Sequence, residues 1–177
     1  MKNNLFFKKN FSNVYEKPSQ LSKISTQILY GETFKILSKK NNWFKIKTSF
    51  DNYIGYIKNP EYIDRFKPTH KVAKLKSIIF VKSKNKKINQ TKKYLTFASK
   101  ILAIKENKKF VQYEKNKWIK KSEIKKIDHF EKNFTKIFKL FLNTKYTWGG
   151  KSYMGIDCSA ILQLFFYYNN KFYPRDT

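Results

Sequence analysis

A chain of 177 residues has room for one ordinary domain or two to three small modules. Hydrophobic residues make up 41% and aromatics 18%, enough apolar material for a core, which excludes disorder along the whole length. The charge is extreme, 39 Lys+Arg against 12 Asp+Glu for a formal +27, yet only Arg65 and Arg175 are arginine and the lysines are spread throughout, so a solvated lysine surface is expected rather than a specific nucleic-acid reader built on guanidinium forks.

In chain order, the start from Met1 to Phe11 has basic residues but no continuous apolar run and no small-residue cleavage site, so no signal peptide is predicted. Residues 14 to 64 read as short strands. Ile28-Leu29-Tyr30 leads into a Gly31-Glu32 turn, followed by Phe34, Ile36 and Leu37. Asn41-Asn42 turns into Trp43-Phe44-Lys45-Ile46-Lys47, and Asp51-Asn52 turns into Tyr53-Ile54-Gly55-Tyr56-Ile57. Turns this close together between β-rich runs predict a small barrel. Residues 69 to 127 repeat the plan more loosely, through Ile78-Ile79-Phe80-Val81, Ile101-Leu102-Ala103-Ile104, Phe110-Val111-Gln112-Tyr113 and Trp118-Ile119. Two barrels in tandem, joined near Pro68, are expected.

The pattern changes at Asp128. Phe130, Phe134, Ile137, Phe138, Phe141 and Leu142 recur at helical spacing, with Asp128 and Glu131 placed as a capping box, which predicts a helix ending near Asn143. A loop with Gly149-Gly150 follows, then a second helix from Cys158 to Tyr168, stopped by Asn169-Asn170 and Pro174. The apolar run Ile161 to Tyr168 is too short to span a bilayer, and the default compartment is the cytoplasm. One cysteine excludes an internal disulfide. Two distant histidines, His70 and His129, give no metal-ligand cluster, so no cofactor is expected.

The chemistry is concentrated in Tyr146-Thr147-Trp148-Gly149-Gly150 and Gly155-Ile156-Asp157-Cys158-Ser159. Asp157 is placed to cap the second helix and Cys158 to stand on its first turn, where unpaired N–H groups and the helix dipole favour a negatively charged sulfur. The same N–H groups can stabilise the oxyanion formed when that sulfur attacks a carbonyl.

With Pro174-Arg175-Asp176-Thr177, these stretches resemble the NlpC-type papain-like cysteine peptidases, and the preceding halves resemble the tandem bacterial SH3-like domains of the family's cytoplasmic branch. The resemblance runs through Leu29-Tyr30-Gly31-Glu32, Trp43 and Asp51 to Tyr56 in the first half, and Pro68 to Val72 in the second. It implies an α+β multidomain protein: a first SH3-like barrel with an N-terminal arm (1–66), a second barrel (67–127), and the N-terminal helical part of a papain-like domain (128–177). It also implies a γ-D-glutamyl-L-diamino-acid endopeptidase acting on peptidoglycan peptides such as L-Ala-γ-D-Glu-diaminopimelate. By the same resemblance Cys158 is the nucleophile, and Asp157, Ser159, Tyr146, Asp176 and Thr177 contact substrate. An acid and a tyrosine of the first barrel receive the peptide's alanine amine. Glu32 and Tyr53 are the candidates, with Asp51 competing for the acid role and a plain turn acid as the other reading of Glu32.

Two departures accompany the resemblance. Ala160 stands where the family usually has glycine, a small-for-small change. The family's general-base histidine lies on later strands, so the chain is expected to be an incomplete, inactive form, with the helix face of Ile161, Leu164, Phe165 and Tyr168 lacking its covering sheet. His129 and His70 both precede the cysteine and are expected to be linker or capping residues. The alternative is a non-catalytic tandem SH3-like module that binds wall peptides.

Overall fold

The structure, a computed structural model, describes residues 4–83 and 87–175. Seven strands form the first unit: β1 (Leu5–Phe7), β2 (Phe11–Tyr15), β3 (Ile24–Leu29), β4 (Thr33–Lys40), β5 (Trp43–Thr48), β6 (Ile54–Lys58) and β7 (Tyr62–Ile63). They pair antiparallel in the order β3-β2-β6-β5-β4-β1-β7. Alternation in β5 shows why: Phe44, Ile46 and Thr48 point into the sheet's packed face, while Trp43, Lys45 and Lys47 stay partly exposed. Phe7, Val14, Ile28, Phe34, Phe44, Ile46 and Ile57 make the core. The turns expected at Asn41 and Asn52 form with both residues left-handed (φ 51° and 58°), a region asparagine tolerates better than most side chains.

The second unit contains β8 (His70–Val72), β9 (Lys76–Lys82), β10 (Ile88–Thr96), β11 (Lys100–Ile101), β12 (Lys105–Glu106), β13 (Phe110–Glu114), β14 (Lys117–Lys120) and β15 (Ile124–Lys126). A five-stranded sheet, β10-β9-β14-β13-β12, and a three-stranded one, β11-β8-β15, enclose Val72, Ile79, Leu95, Ile101, Val111, Tyr113, Ile119 and Ile124. Tyr30 of the first unit completes this core, and its hydroxyl donates to Glu114 Oε1 at 2.7 Å. The two units therefore share a hydrophobic seam.

The last segment adds α1 (Phe134–Leu140), the short strands β16 (Lys151–Ser152) and β17 (Gly155–Ile156), and α2 (Cys158–Tyr168). The predicted bounds of α2 are those observed. The first helix is shorter than expected. Asn133, not Asp128, caps it, its side chain accepting from the Lys136 N–H. The capping box does not form because Asn169 Oδ1 takes the Glu131 N–H at 2.8 Å and its amide donates back to the Glu131 carbonyl, tying Glu131 to the end of α2 ahead of the helix.

These lengths overturn the expected α+β class. Strands hold 44% of the described residues and helices 12%, with two α-helices in all, so the protein is mostly β with antiparallel sheets. The expectation that α2 lacks a partner also fails. Ala160, Leu164, Tyr167 and Tyr168 pack with Leu29 of the first unit, Phe97 and Ala98 of the second, and Ile137 and Phe141 around α1, while Ile161 and Phe165 flank the cluster. Among the described residues no helix is long and apolar enough to cross a membrane.

Candidate active site

The N-terminus of α2 is fixed by one carboxylate. Asp157 has extended backbone (φ −104°, ψ 174°), the usual geometry of a cap, and its Oδ1 accepts from the Ala160 N–H at 2.8 Å and from the Ser159 hydroxyl at 3.2 Å. Its Oδ2 accepts from the Gly149 N–H at 2.9 Å, which ties the Trp148-Gly149-Gly150 loop to the helix. Gly149 is left-handed (φ +71°), and a Cβ there would lie 2.5 Å from the Ile24 carbonyl oxygen, so only glycine lets this loop press onto β3.

Arg175 closes the arrangement. Its two terminal nitrogens grip both oxygens of Asp157, one of them also donating to the Ser159 hydroxyl, and Nε donates to Thr26 Oγ1 on β3 at 2.9 Å. The guanidinium is buried. For Asp157, burial pushes the carboxyl up, but hydrogen bonds from Arg175 and the Ala160 N–H, the Arg175 charge and the Ser159 hydroxyl outweigh it. The net result lies below the ordinary value of 3.8.

Cys158, exposed, opens α2 at a cavity of about 440 Å³. The walls come from three places: Glu16, Ser25 and Tyr53 of the first unit, Tyr146 and Trp148 of the loop, and Asp157, Ser159 and Arg175 around the helix end. An exposed sulfur stands on the positive end of a helix beside a partly enclosed, mixed polar and aromatic space, an arrangement suited to nucleophilic attack on a bound carbonyl. Among the described residues no group of three or more His, Cys, Asp or Glu could hold a metal ion.

Five residues singled out in the sequence thus meet at one cavity: Cys158, Asp157, Ser159, Tyr146 and Tyr53. Asp176 and Thr177 lie outside the described residues. Glu32 does not reach the cavity. Gly31 turns left-handed (φ +77°) against the backbone of Lys100 and sends the Glu32 side chain inward, where Oε1 meets Lys151 Nζ at 2.8 Å and Oε2 accepts the Leu29 N–H. Asp51 accepts from Gln163 Nε2 at 2.8 Å and from the Thr48 hydroxyl, bracing the β5–β6 turn against α2 away from the cavity lining. His70 contacts Thr69 Oγ1, and His129 lies against the ring of Tyr168; neither lines the cavity.

Glu16, Ser25 and Arg175 also line the cavity, three residues that motif and spacing alone do not mark as site residues. Arg175 still carries a usable signal as one of two arginines in a lysine-rich chain. Glu16 has none, because it reaches the cavity through the pairing of its neighbour Tyr15 with Tyr56.

The chain resembles known proteins at three levels. Residues 14–59 match the bacterial dipeptidyl-peptidase SH3 domain family. Dipeptidyl-peptidase 6 of Lysinibacillus sphaericus is 25% identical over 188 residues, an alignment covering 93% of this chain and 69% of that protein. The crystal structure of an NlpC/P60 family protein from Bacillus cereus ATCC 10987 superposes with a TM-score of 0.81 at 17% identity, over 98% of this chain and 74% of that one, so the two share a fold.

Proposed function

We propose that this chain binds peptidoglycan-derived peptides and carries the nucleophile of a cysteine endopeptidase that cleaves the γ-D-glutamyl to diamino-acid bond. The observation that carries the reading is Cys158 at the first turn of α2, opening onto a cavity walled partly by the first β unit. The similarity to a dipeptidyl-peptidase and to an NlpC/P60 fold supports the same chemistry. On this reading the sulfur attacks the γ-glutamyl carbonyl, the N–H groups of the helix turn receive the developing oxyanion, and the diamino-acid amine leaves to give a thioester that water hydrolyses. Tyr53, Tyr146, Asp157 and Ser159 line the peptide's path. Glu16, an exposed carboxylate on the cavity wall, takes the amine-binding role in place of the buried Glu32. The divisions 1–66, 67–127 and 128–177 follow, with the second unit a further SH3-like module.

Neither histidine lines the cavity, so on this reading neither is the base that activates Cys158. The same observation favours a second reading, a non-catalytic module that holds wall peptides. One experiment separates them. L-Ala-γ-D-Glu-diaminopimelate is expected to slow alkylation of Cys158 by iodoacetamide at least tenfold. An activated γ-ester of L-Ala-D-Glu, whose leaving group needs no acid, is expected to leave a thioester adduct on Cys158 by mass spectrometry. Protection without an adduct selects the binding module; no protection at millimolar peptide rejects both. Acetylating the alanine amine should weaken protection in the wild type but make little difference in Glu16→Gln, and equal sensitivity in the two proteins removes Glu16 from the role.

A further inference from the structure

A second, larger cavity of about 610 Å³ lies between the first and second β units, far in character from the cysteine cavity. Five lysines line it, Lys8, Lys9, Lys92, Lys93 and Lys117, with Glu61 the one acidic residue in the lining. Lysines cover much of this surface, so their number alone decides nothing. Their placement does. The register of β10 on β9 slips between Gln90 and Tyr94, and this bulge brings Lys92 and Lys93 in succession to the groove. Thr91 pins the bulge, its hydroxyl donating to the Ile79 carbonyl at 2.6 Å and accepting from the Lys93 N–H at 3.1 Å. Opposite, Lys8 and Lys117 converge on one carboxylate, Glu114, at 3.4 and 2.9 Å, while Lys9 is held by the Asn59 carbonyl and, more distantly, by Glu61. Lys92 and Lys93 have no acidic partner among the described residues. The floor between the charges is apolar, made by Phe11, Ile79 and Val81.

We infer that this groove binds a linear phosphodiester polyanion. Lysine ammoniums are point charges on long stems, suited to following a repeating charge rather than reading a planar fork, and an apolar floor suits the carbon linkers between successive phosphates. Binding follows the backbone and is indifferent to what the backbone carries.

The test is fluorescence anisotropy on the 177-residue chain with two labelled probes, a twelve-residue oligothymidylate and poly(glycerol phosphate), across a salt series. The expected result is binding to at least one probe at low salt. Replacing both Lys92→Gln and Lys93→Gln should weaken it about tenfold and flatten the log–log salt slope by about 1.4, since each single-strand phosphate neutralised contributes about 0.7. The matched exposed pair on β15, Lys125→Gln with Lys126→Gln, removes the same charge elsewhere and should change affinity less than twofold. Preference for one probe identifies the source of the phosphodiester, and equal binding identifies the backbone itself; either supports the groove. An equal loss in the two double variants, equally tight binding of poly-glutamate, or no binding of either probe overturns it.

Discussion

At the scale of single residues, the cavity depends on a buried carboxylate that a buried guanidinium keeps ionised. Arg175→Met leaves Asp157 without its counter-charge and is expected to cost about 3–5 kcal/mol of stability, the range for stripping one partner from a buried pair. Arg175→Lys keeps the charge but loses the fork and should fall between that variant and the wild type. The pH dependence separates this role from simple packing. Because the folded-state value of Asp157 is depressed, its contribution is complete above the ordinary 3.8 and is lost as pH falls through the folded value. Urea midpoints followed from pH 6 to pH 2 should show a smaller acid-side loss in Arg175→Met than in the wild type, the remainder coming from Glu106, Glu114 and Glu131, which are also lowered. The clustering of Asp157, Cys158 and Ser159 is legible in the sequence because cap, thiol and neighbour are consecutive. Nothing in the sequence signals that Glu32 turns away from the cavity, because a side chain's direction at Gly31-Glu32 depends on a contact with Lys100, remote in sequence.

At the scale of elements, the two ends of α2 are held by different chemistry. Asp157 caps its start, while Lys71 of β8 reaches its finish, donating to the Tyr168 and His129 carbonyls with its ammonium 4.4 Å from the Tyr168 ring centre. Alternation in a three-residue strand gives no warning that a lysine points inward, yet Lys71 is fully buried. Burial lowers it to about 8, with Lys100 acting in the same direction and Asp128 opposing. Between that value and the ordinary 10.5 the unfolded chain holds more protons than the folded one, so stability should rise with pH through this window. Buried Tyr30, Tyr113, Tyr167 and Tyr168, all shifted upward, reverse the trend above about pH 10. Urea midpoints between pH 7.5 and 10 are expected to climb in the wild type and to climb less in Lys71→Met, where Lys100, also lowered by burial, supplies the remainder. A flat wild-type profile would contradict the assignment. The missed start of α1 has a similar cause: Asn169 captures Glu131 from the far end of α2, a tertiary contact that defeats a locally sound capping signal.

At the scale of the molecule, the three segments interlock. Tyr30 enters the second core, Leu29 the cluster under α2, and Glu32 meets Lys151 in an ion pair whose side chains are 1% and 2% exposed. Glu32→Gln is expected to destabilise the whole chain by about 3–5 kcal/mol while leaving the peptide affinity of folded molecules unchanged; a selective loss of affinity would restore the amine-binding role. Pairing it with Lys151→Met should recover part of the loss, as measured by urea unfolding of the double variant. Strands joined by asparagine turns are legible because turn chemistry and alternation are local. The mostly β class was not, because it rests on how little of residues 128–157 becomes helix, and neither was the cover over α2, which β-unit residues from far upstream provide.

The bond from Arg175 to Thr26 spans 149 positions of sequence, Lys151 to Gln27 spans 124, and Lys151 to Glu32 spans 119. Bringing such distant partners together carries a larger loop-closure cost than the hairpins of each β unit, which close over a few residues. The cysteine cavity is therefore expected to assemble late in folding, which native-state hydrogen exchange would test by finding the α2 amides among the first to open. A chain that has finished its sheets still has no site until the arginine has found its threonine.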